Sequence, residues 1–499
     1  MGRSLVRDSL AVSIGSILRK ASAFLREGAL AYAFGAGPAS DALLAAMGLP
    51  SLVVGLAGAA VGTIVVPLWR DVRRRRPEEA LGPFNLTVLA TAFLLLLLEL
   101  GAGVIVPLLV PGFPARETAL TVALTRLFLA SSLGLVTAAF WKAVLEAEGR
   151  FATAALSALP VNLASGAGFL LAARHGVTWA AVAAVGAQFL ELAWLFAFAR
   201  RHLPAWRWDL RLSRAAAAHM PQLVPAVLAA LVAQAGLVAA RLFASGLPAG
   251  SLSSLVYAFQ LASFLTGVTG GSFVTAAYPR LAEGGPSRAA EIERTFGWIV
   301  FVTLPLVPLL LLLAPDIVAA AFLRGHFTAG ALSLTTAAFG GFVAGLPLSP
   351  LLGLCMGAAF ARREGAVAAL ASAASVGVTV VGDLLLVAPL GVYGMAVAAS
   401  AGQAAGLVVA MVTLWPGRAL LRLRSGGGRL VPVALSALPC AALCGLWSYR
   451  RTGPVPDLGV AAAALATYLL LTHLARVPEA ERIMGILRQR ASLRARLGG

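Results

Sequence analysis

Two stretches decide how this chain folds: residues 49–67, LPSLVVGLAGAAVGTIVVP, and residues 261–279, LASFLTGVTGGSFVTAAYP. Each is free of charged residues and about as long as a helix needs to be to cross the hydrocarbon core of a bilayer. They also resemble each other. Leu49, Gly55, Gly58, Thr63 and Pro67 recur as Leu261, Gly267, Gly270, Thr275 and Pro279, with one and the same offset in every pair. A second set follows in the same order: Gly176-Val177, Ala181 to Ala184 and Gln188 recur as Gly391-Val392, Ala396 to Ala399 and Gln403, at a nearly identical offset. Chance identity is common in a chain rich in Ala, Gly and Leu, but two ordered matches at nearly one offset point to an internal repeat. The offset holds six candidate helices, an even number of crossings. The two copies therefore share orientation and relate by an axis along the membrane normal, an architecture suited to alternating access.

The rest of the chain has the same character. Of 499 residues, 60% are hydrophobic and 12% charged, and the mean hydropathy is +0.88. A soluble domain carries about 25% charged residues. A soluble enzyme, a nucleic-acid-binding protein and a disordered chain are excluded. Apolar runs between charged or Gly/Pro breaks give fourteen candidate spans. They are 8–34, 40–69, 84–110, 118–146, 151–173, 177–199, 218–245, 250–278, 296–322, 329–360, 365–388, 391–415, 430–449 and 457–475. The expected fold is an all-α polytopic membrane protein with about fourteen transmembrane helices. Two parallel-repeat six-helix lobes, residues 1–215 and 216–417, would surround a central cavity. Two extra C-terminal helices (418–476) and a basic cytoplasmic tail (477–499) would follow. The first apolar stretch is long and carries charges, so it is expected to remain as a span rather than be cleaved as a signal peptide.

The net charge of +18 is topological. With the N-terminus counted as inside, alternate loops and the tail hold 28 of the 39 basic residues on the inner side and 5 on the outer side. That bias sets both termini in the cytoplasm. Thirty-seven of the basic residues are Arg; the lysines are Lys20 and Lys142. Cys355, Cys440 and Cys444 make no disulfide framework, and Cys440 and Cys444, four apart on an apolar helix, read as packing. The basic tail fits equally a solvated helix or one lying on anionic lipid.

Charges inside spans are costly and face a cavity or a partner. The first helix holds Arg19, Lys20, Arg26 and Glu27 within two turns. Three cations against one acid point to a water-filled cavity that receives an anionic headgroup, with Arg forking onto phosphate oxygens and Lys giving a point charge. Structural ion pairs, Lys20 with Glu27 or Arg26 with Asp41, are the alternative. Asp41 reads equally as a helix N-cap or as a partner for those cations. Glu99 and Arg126 are expected to pair, and Arg241 to snorkel at the end of its span. Asp383, in the middle of the eleventh span, is either a proton or Na⁺ coupling site or a hydrogen-bonded structural acid. No metal-ligand or catalytic spacing, no GxGxxG and no P-loop occur, so neither a cofactor nor direct use of ATP is expected.

The order Phe24-Leu25-Arg26-Glu27, Phe34-Gly35-Ala36-Gly37, Ser40-Asp41-Ala42 and Gly48-Leu49-Pro50 resembles the amino-terminal signature of the MviN/MurJ lipid II flippases of the MOP exporter superfamily. Gly149-Arg150-Phe151, Pro160-Val161-Asn162, Tyr257-Ala258 and Arg324-Gly325-His326-Phe327-Thr328 extend the likeness, which covers about residues 1 to 415. It implies a fourteen-helix, two-lobed flippase that carries lipid II, the undecaprenyl-pyrophosphate-linked peptidoglycan precursor, to the outer leaflet. It further implies a groove for the lipid tail beside the last two helices. The family's first-helix cations fall on Lys20 and Arg26, and its second-helix acid on Asp41. Its second-helix arginine falls near Val53 or Val54, its eighth-helix arginine on Gln260, and a seventh-helix acid or amide near Ala240. Arg19 and Arg241 are candidates to replace the lost charge. The expected partners are a lipid-linked anionic substrate, membrane lipids and cell-wall synthesis proteins. A flippase for another lipid-linked oligosaccharide and a non-transporting paralogue acting as a cell-envelope scaffold are the alternatives. A MATE-like exporter of cations should line its cavity with acids, the reverse of this first helix.

Overall fold

The computed structural model describes residues 2–72, 76–203, 207–211, 213–283, 287–362, 364–415, 427–448, 454–482 and 484. The loop arginines Arg73 to Arg75, Arg363, Arg418, Arg422, Arg424, Arg450 and Arg451, and most of the tail 477–499, lie outside the described residues.

The secondary structure among those residues is helical. In hydrocarbon each backbone N–H and C=O must be satisfied within its own segment, which a helix achieves. The helices are α1 (Gly2–Phe34), α2 (Pro38–Ala46), α3 (Gly48–Val72), α4 (Leu81–Leu109), α5 (Ala115–Ala147), α6 (Phe151–Leu156), α7 (Ala158–Ala172) and α8 (Val177–Ala199). Then come α9 (Arg214–His219), α10 (Leu223–Ser245), α11 (Ser251–Thr266), α12 (Ser272–Glu283), α13 (Ser287–Leu312), α14 (Ala314–Phe322), α15 (Ala329–Ala344) and α16 (Leu348–Ala361). The last are α17 (Gly365–Leu414), α18 (Gly427–Ser448) and α19 (Pro454–Leu474). A π-helical turn, Gly267–Gly271, joins α11 to α12.

Among the described residues, eleven helices are long and apolar enough to cross a membrane, or up to twelve with the bent pair α15–α16 taken as one span. This count is lower than fourteen for two reasons. The charges on α1 remove it from the apolar class. The 50-residue α17 counts once, although Gly391 breaks it with φ 56° and ψ −135°. Gly391 and its repeat mate Gly176 both have positive φ, and each precedes a helical run, from Val177 and from Val392.

Four spans that read as continuous are interrupted, at Met47, Ser157, Leu313 and Gly345–Pro347, the last by a 45° bend. A proline stands within three residues of each: Pro50, Pro160, Pro315 and Pro347. Proline has no N–H to return to the preceding turn, yet is tolerated in the first turn of the next helix.

Packing divides the bundle by level. At one end a single hydrophobic core joins α1, α2, α5, α7 and α8 to α11, α14 and α15, with Leu30, Phe128, Phe169, Tyr257, Phe322 and Phe339 at its centre. At the other end the two largest cores are separate from each other. One is built by α3, α4 and α5 around Leu68, Trp69, Phe84 and Phe140; the other by α12, α13, α16 and α17 around Leu281, Ile299, Leu354 and Leu407. Helix α1 lies between, packing on α6 and α7 on one side and on α11 and α12 on the other. Helices α18 and α19 pair with each other and pack on α13. Leucines such as Leu100, Leu171 and Leu446 are more than two-thirds exposed, as a lipid-facing belt requires.

Candidate functional site

The site is best built from the end with the joint core. The turn after α1 uses Gly35 at φ +68°, and the turn before α11 uses Gly250 at φ +89°. These glycines are separated by the repeat offset, so one stands in each copy. Both meet opposing backbone: a Cβ on Gly250 would lie 2.8 Å from the Ala36 carbonyl oxygen, and one on Gly35 would collide with that of His326. Positive φ and the absence of a Cβ together let the chains touch there. Around this seal the Tyr257 hydroxyl donates to the Gly35 carbonyl at 3.0 Å, and the His326 N–H donates to the Tyr32 carbonyl at 3.0 Å.

Asp41 fastens the same seal. It is buried in the first turn of α2, and its carboxylate accepts the backbone N–H of Gly250 at 2.6 Å and of Ser253 at 2.7 Å. One side chain thus caps α11, a helix whose N-cap lies 209 residues later, with the helix dipole adding to the attraction. This corrects both sequence readings of Asp41: it neither caps its own helix, where Gly37 is the N-cap, nor pairs with α1 cations.

About 21 Å along α1 from Phe34, at 1.5 Å per residue, lies Lys20. Its ammonium donates to the Ser263 carbonyl at 3.1 Å, and its methylenes lie against Gly267 in the π-helical turn. No carboxylate pairs with it among the described residues. Lys20 lines a cavity of about 210 Å³ with Thr266, Ser272, Thr275 and Ser349, on the side away from the seal. A cation among hydroxyls offers donors to an anionic, oxygen-rich ligand.

Arg26 turns towards α7, about a third of a turn around α1 from Lys20. It donates to Glu27 at 2.5 and 3.2 Å and to the Asn162 side-chain carbonyl on α7 at 3.4 Å; Asn162 in turn donates to Ser22 at 2.9 Å. Of the ion pairs held as the alternative, neither Lys20–Glu27 nor Arg26–Asp41 forms among the described residues; Arg26 pairs with Glu27 instead. Arg26 stays about a quarter exposed, whereas Glu27 is buried with one oxygen unpartnered among the described residues. Arg19 is exposed, its carbonyl accepting the Ser22 hydroxyl. Gln260 is half-buried on α11, one turn before Ser263.

The remaining candidates lie apart. Arg241 packs against Gly48, in a small void with Thr121 and Thr125, and donates to the Leu237 carbonyl at 3.1 Å. Glu99 and Arg126 pair at 3.7 Å. Asp383 is buried, and its Oδ1 has no hydrogen-bond partner among the described residues. No metal-binding group of His, Cys, Asp or Glu occurs among the described residues. An apolar groove of about 410 Å³, lined by Leu304, Val307, Pro308, Ala344, Ala437 and Leu438, runs between α13, α15 and α18. Ser263 and Gln234 escaped the sequence reading, and Asn162 entered it only as part of a family motif, not as a site candidate. Asn162 and Gln234 carried a signal, as uncharged polar side chains in otherwise apolar spans.

A helical bundle with one joint core, two divided cores and a cationic helix between them is the architecture of a polytopic membrane transporter. Solved structures share the fold. A lipid II flippase MurJ in an inward closed conformation superposes with a TM-score of 0.77, covering 95% of this chain and all of that one at 16% identity. An inward-facing multidrug resistance MATE family transporter of the MOP superfamily gives 0.55 over 85% of this chain and 99% of that one, at 17% identity. The chain belongs to the lipid II flippase MurJ family, whose sequence model matches residues 30–453. Relatives named probable lipid II flippase MurJ are 27% identical in Rhizobium tropici and 28% in Rhizobium meliloti (strain 1021). Both alignments cover 83% of this chain and 81% of the relative.

Proposed function

We propose that this protein moves lipid II from the inner to the outer leaflet of the bacterial cytoplasmic membrane by alternating access. The observation that carries the reading is the division of the core: joined at the Gly35–Gly250 end, separate at the other, with the cations of α1 between. Such a bundle rocks about its middle, closing one end as the other opens. The bias of arginines makes the sealed end the outer one and puts both termini in the cytoplasm.

In this scheme the lobes are residues 1–215 and 216–417, the segment 418–476 adds two helices, and the membrane is crossed fourteen times. The pyrophosphate enters from the cytoplasm and is met by Lys20, Arg26 and Arg19, with Gln260 beside the sugars. Arg26 is held ready by Glu27 and Asn162. The lipid tail lies in the apolar groove beside α18. Asp41 keeps the outer end shut until its bonds to Gly250 and Ser253 break, and Asp383 carries the coupling cation. Transport breaks no covalent bond, so the residues bind and release without acting as acids, bases or nucleophiles. Cell-wall synthesis proteins would supply and use the cargo.

Native mass spectrometry of the purified protein with lipid II tests this. The parent is expected to bind, and Arg26→Ala to bind about tenfold or more weakly, the worth of one charge-assisted hydrogen bond of ~1.5–3 kcal/mol. A second reading, the non-transporting scaffold, is favoured by Gln260 standing where the family carries arginine. Equal binding by parent and Arg26→Ala would favour it.

A further inference from the structure

The contact Lys20 makes has a counterpart elsewhere in the bundle. The Gln234 side-chain amide on α10 donates to the Ser51 carbonyl on α3 at 3.2 Å, as the Lys20 ammonium on α1 donates to the Ser263 carbonyl on α11 at 3.1 Å. Ser51 and Ser263 are related by the same offset as Leu49 and Leu261, and Lys20 and Gln234 by one that falls between the offsets of the two repeat matches. The supporting glycines match as well. A Cβ on Gly267 would press on the Lys20 methylenes, and one on Gly55, its mate in the first repeat, would collide with the Gln234 amide. Both contacts cross between the repeats: α1 to α11 in one case, α10 to α3 in the other.

We propose that Lys20 and Gln234 are matched latches, one on each seam between the two repeats, and that only the Lys20 latch can be released by an anion. Gln234 is then a positioning residue for transport. The two latches differ in chemistry where the repeats differ in sequence. An ammonium held by one neutral carbonyl has no counter-charge there, and an incoming phosphate oxygen is a stronger acceptor than that carbonyl. A neutral amide gains far less by the same exchange. The hydroxyl-lined cavity lies on the Lys20 side. The apolar cavity of about 310 Å³ on the Gln234 side, between α3, α4 and α10, has little to attract a charge. An anion therefore frees α1 from α11 while α10 stays fastened to α3, and the second seam serves as the hinge. This rests on the anionic-ligand reading above.

Spin labels across each seam test the idea, with the buried Cys355, Cys440 and Cys444 replaced. One pair is placed at Leu18 and Val268, the other at Gly62 and Leu231, all exposed positions. The probe is inorganic pyrophosphate. In the parent it should lengthen the Leu18–Val268 distance and leave Gly62–Leu231 unchanged. Gln234→Ala should lengthen Gly62–Leu231 without any ligand, and Gly55→Ala should do the same by pushing the intact amide aside. Gln234→Lys should close that seam again and make it respond to pyrophosphate. An unchanged Gly62–Leu231 distance in both Gln234→Ala and Gly55→Ala overturns the latch. If these variants open their seam while pyrophosphate moves neither pair in the parent, the latch stands and the anionic-ligand reading fails.

Discussion

Asp41 accepts two buried N–H groups that belong to a helix 209 residues away, so its loss is felt between helices rather than within one. Asp41→Ala leaves those donors unsatisfied, at a cost of about 2 kcal/mol or more, roughly a 30-fold shift towards an open seal. A cysteine at Ala36 should then react faster with a membrane-impermeant thiol reagent in Asp41→Ala than in the parent; equal rates would show that the carboxylate does not hold the seal. At Arg26 the expected cost is of another kind. Arg26→Ala strands the buried Glu27 carboxylate. Truncating one member of a buried pair costs ~3–5 kcal/mol, and the partial exposure of Arg26 puts this case at the low end or below. Thermal unfolding in detergent should show a clear loss for Arg26→Ala. Much of that loss should be recovered in the double variant Arg26→Gln/Glu27→Gln, without recovery of transport. The sequence made Lys20, Arg26 and Glu27 conspicuous because charge in an apolar run needs a reason. It could not say that Asp41 belongs to α11, because its two partners are backbone groups, which carry no residue signature.

At the level of elements, apolar run length was enough to locate nearly every helix, and the break at Gly391 was legible as a gap between two runs. The interruptions at Met47, Ser157, Leu313 and Gly345–Pro347 were not, since hydropathy is continuous across them; the nearby prolines were the available signal. Gly391 has a backbone geometry that an L-residue reaches only under strain of about 1–3 kcal/mol. Gly391→Ala is expected to lower the unfolding temperature by that equivalent, whereas Gly377→Ala, with open space around its Cβ and an ordinary helical backbone, should be neutral or slightly stabilising. Comparable losses in the two variants would show that the break is not strained. The π-helical turn at Gly267–Gly271 was hidden as well. Gly267 and Gly270 were seen as repeat matches, and only the packed structure relates Gly267 to Lys20.

On the scale of the whole molecule, positions that the proposed repeat pairs have like surroundings: Gly35 and Gly250 in the seal, Gly176 and Gly391 before helices, Ser51 and Ser263 as acceptors. A parallel repeat would leave each copy with the same sense across the membrane, so in the proposed scheme one rocking motion would move both. The arginine bias expects both termini in the cytoplasm. A green fluorescent protein fused after Gly499 should fluoresce, and alkaline phosphatase fused there should be inactive; the reverse pattern would invert the whole scheme. What the sequence left open was which end is shut, because that depends on how the cores divide between packed halves.

The most direct measurement is complementation: the resident lipid II flippase of a bacterial host is depleted while this chain is expressed. A lipid II flippase that binds pyrophosphate through α1 should restore growth, and Arg26→Ala, expressed in the membrane at parental level, should abolish that rescue. Failure of the parent to rescue despite full membrane expression, or rescue undiminished in Arg26→Ala, would contradict it.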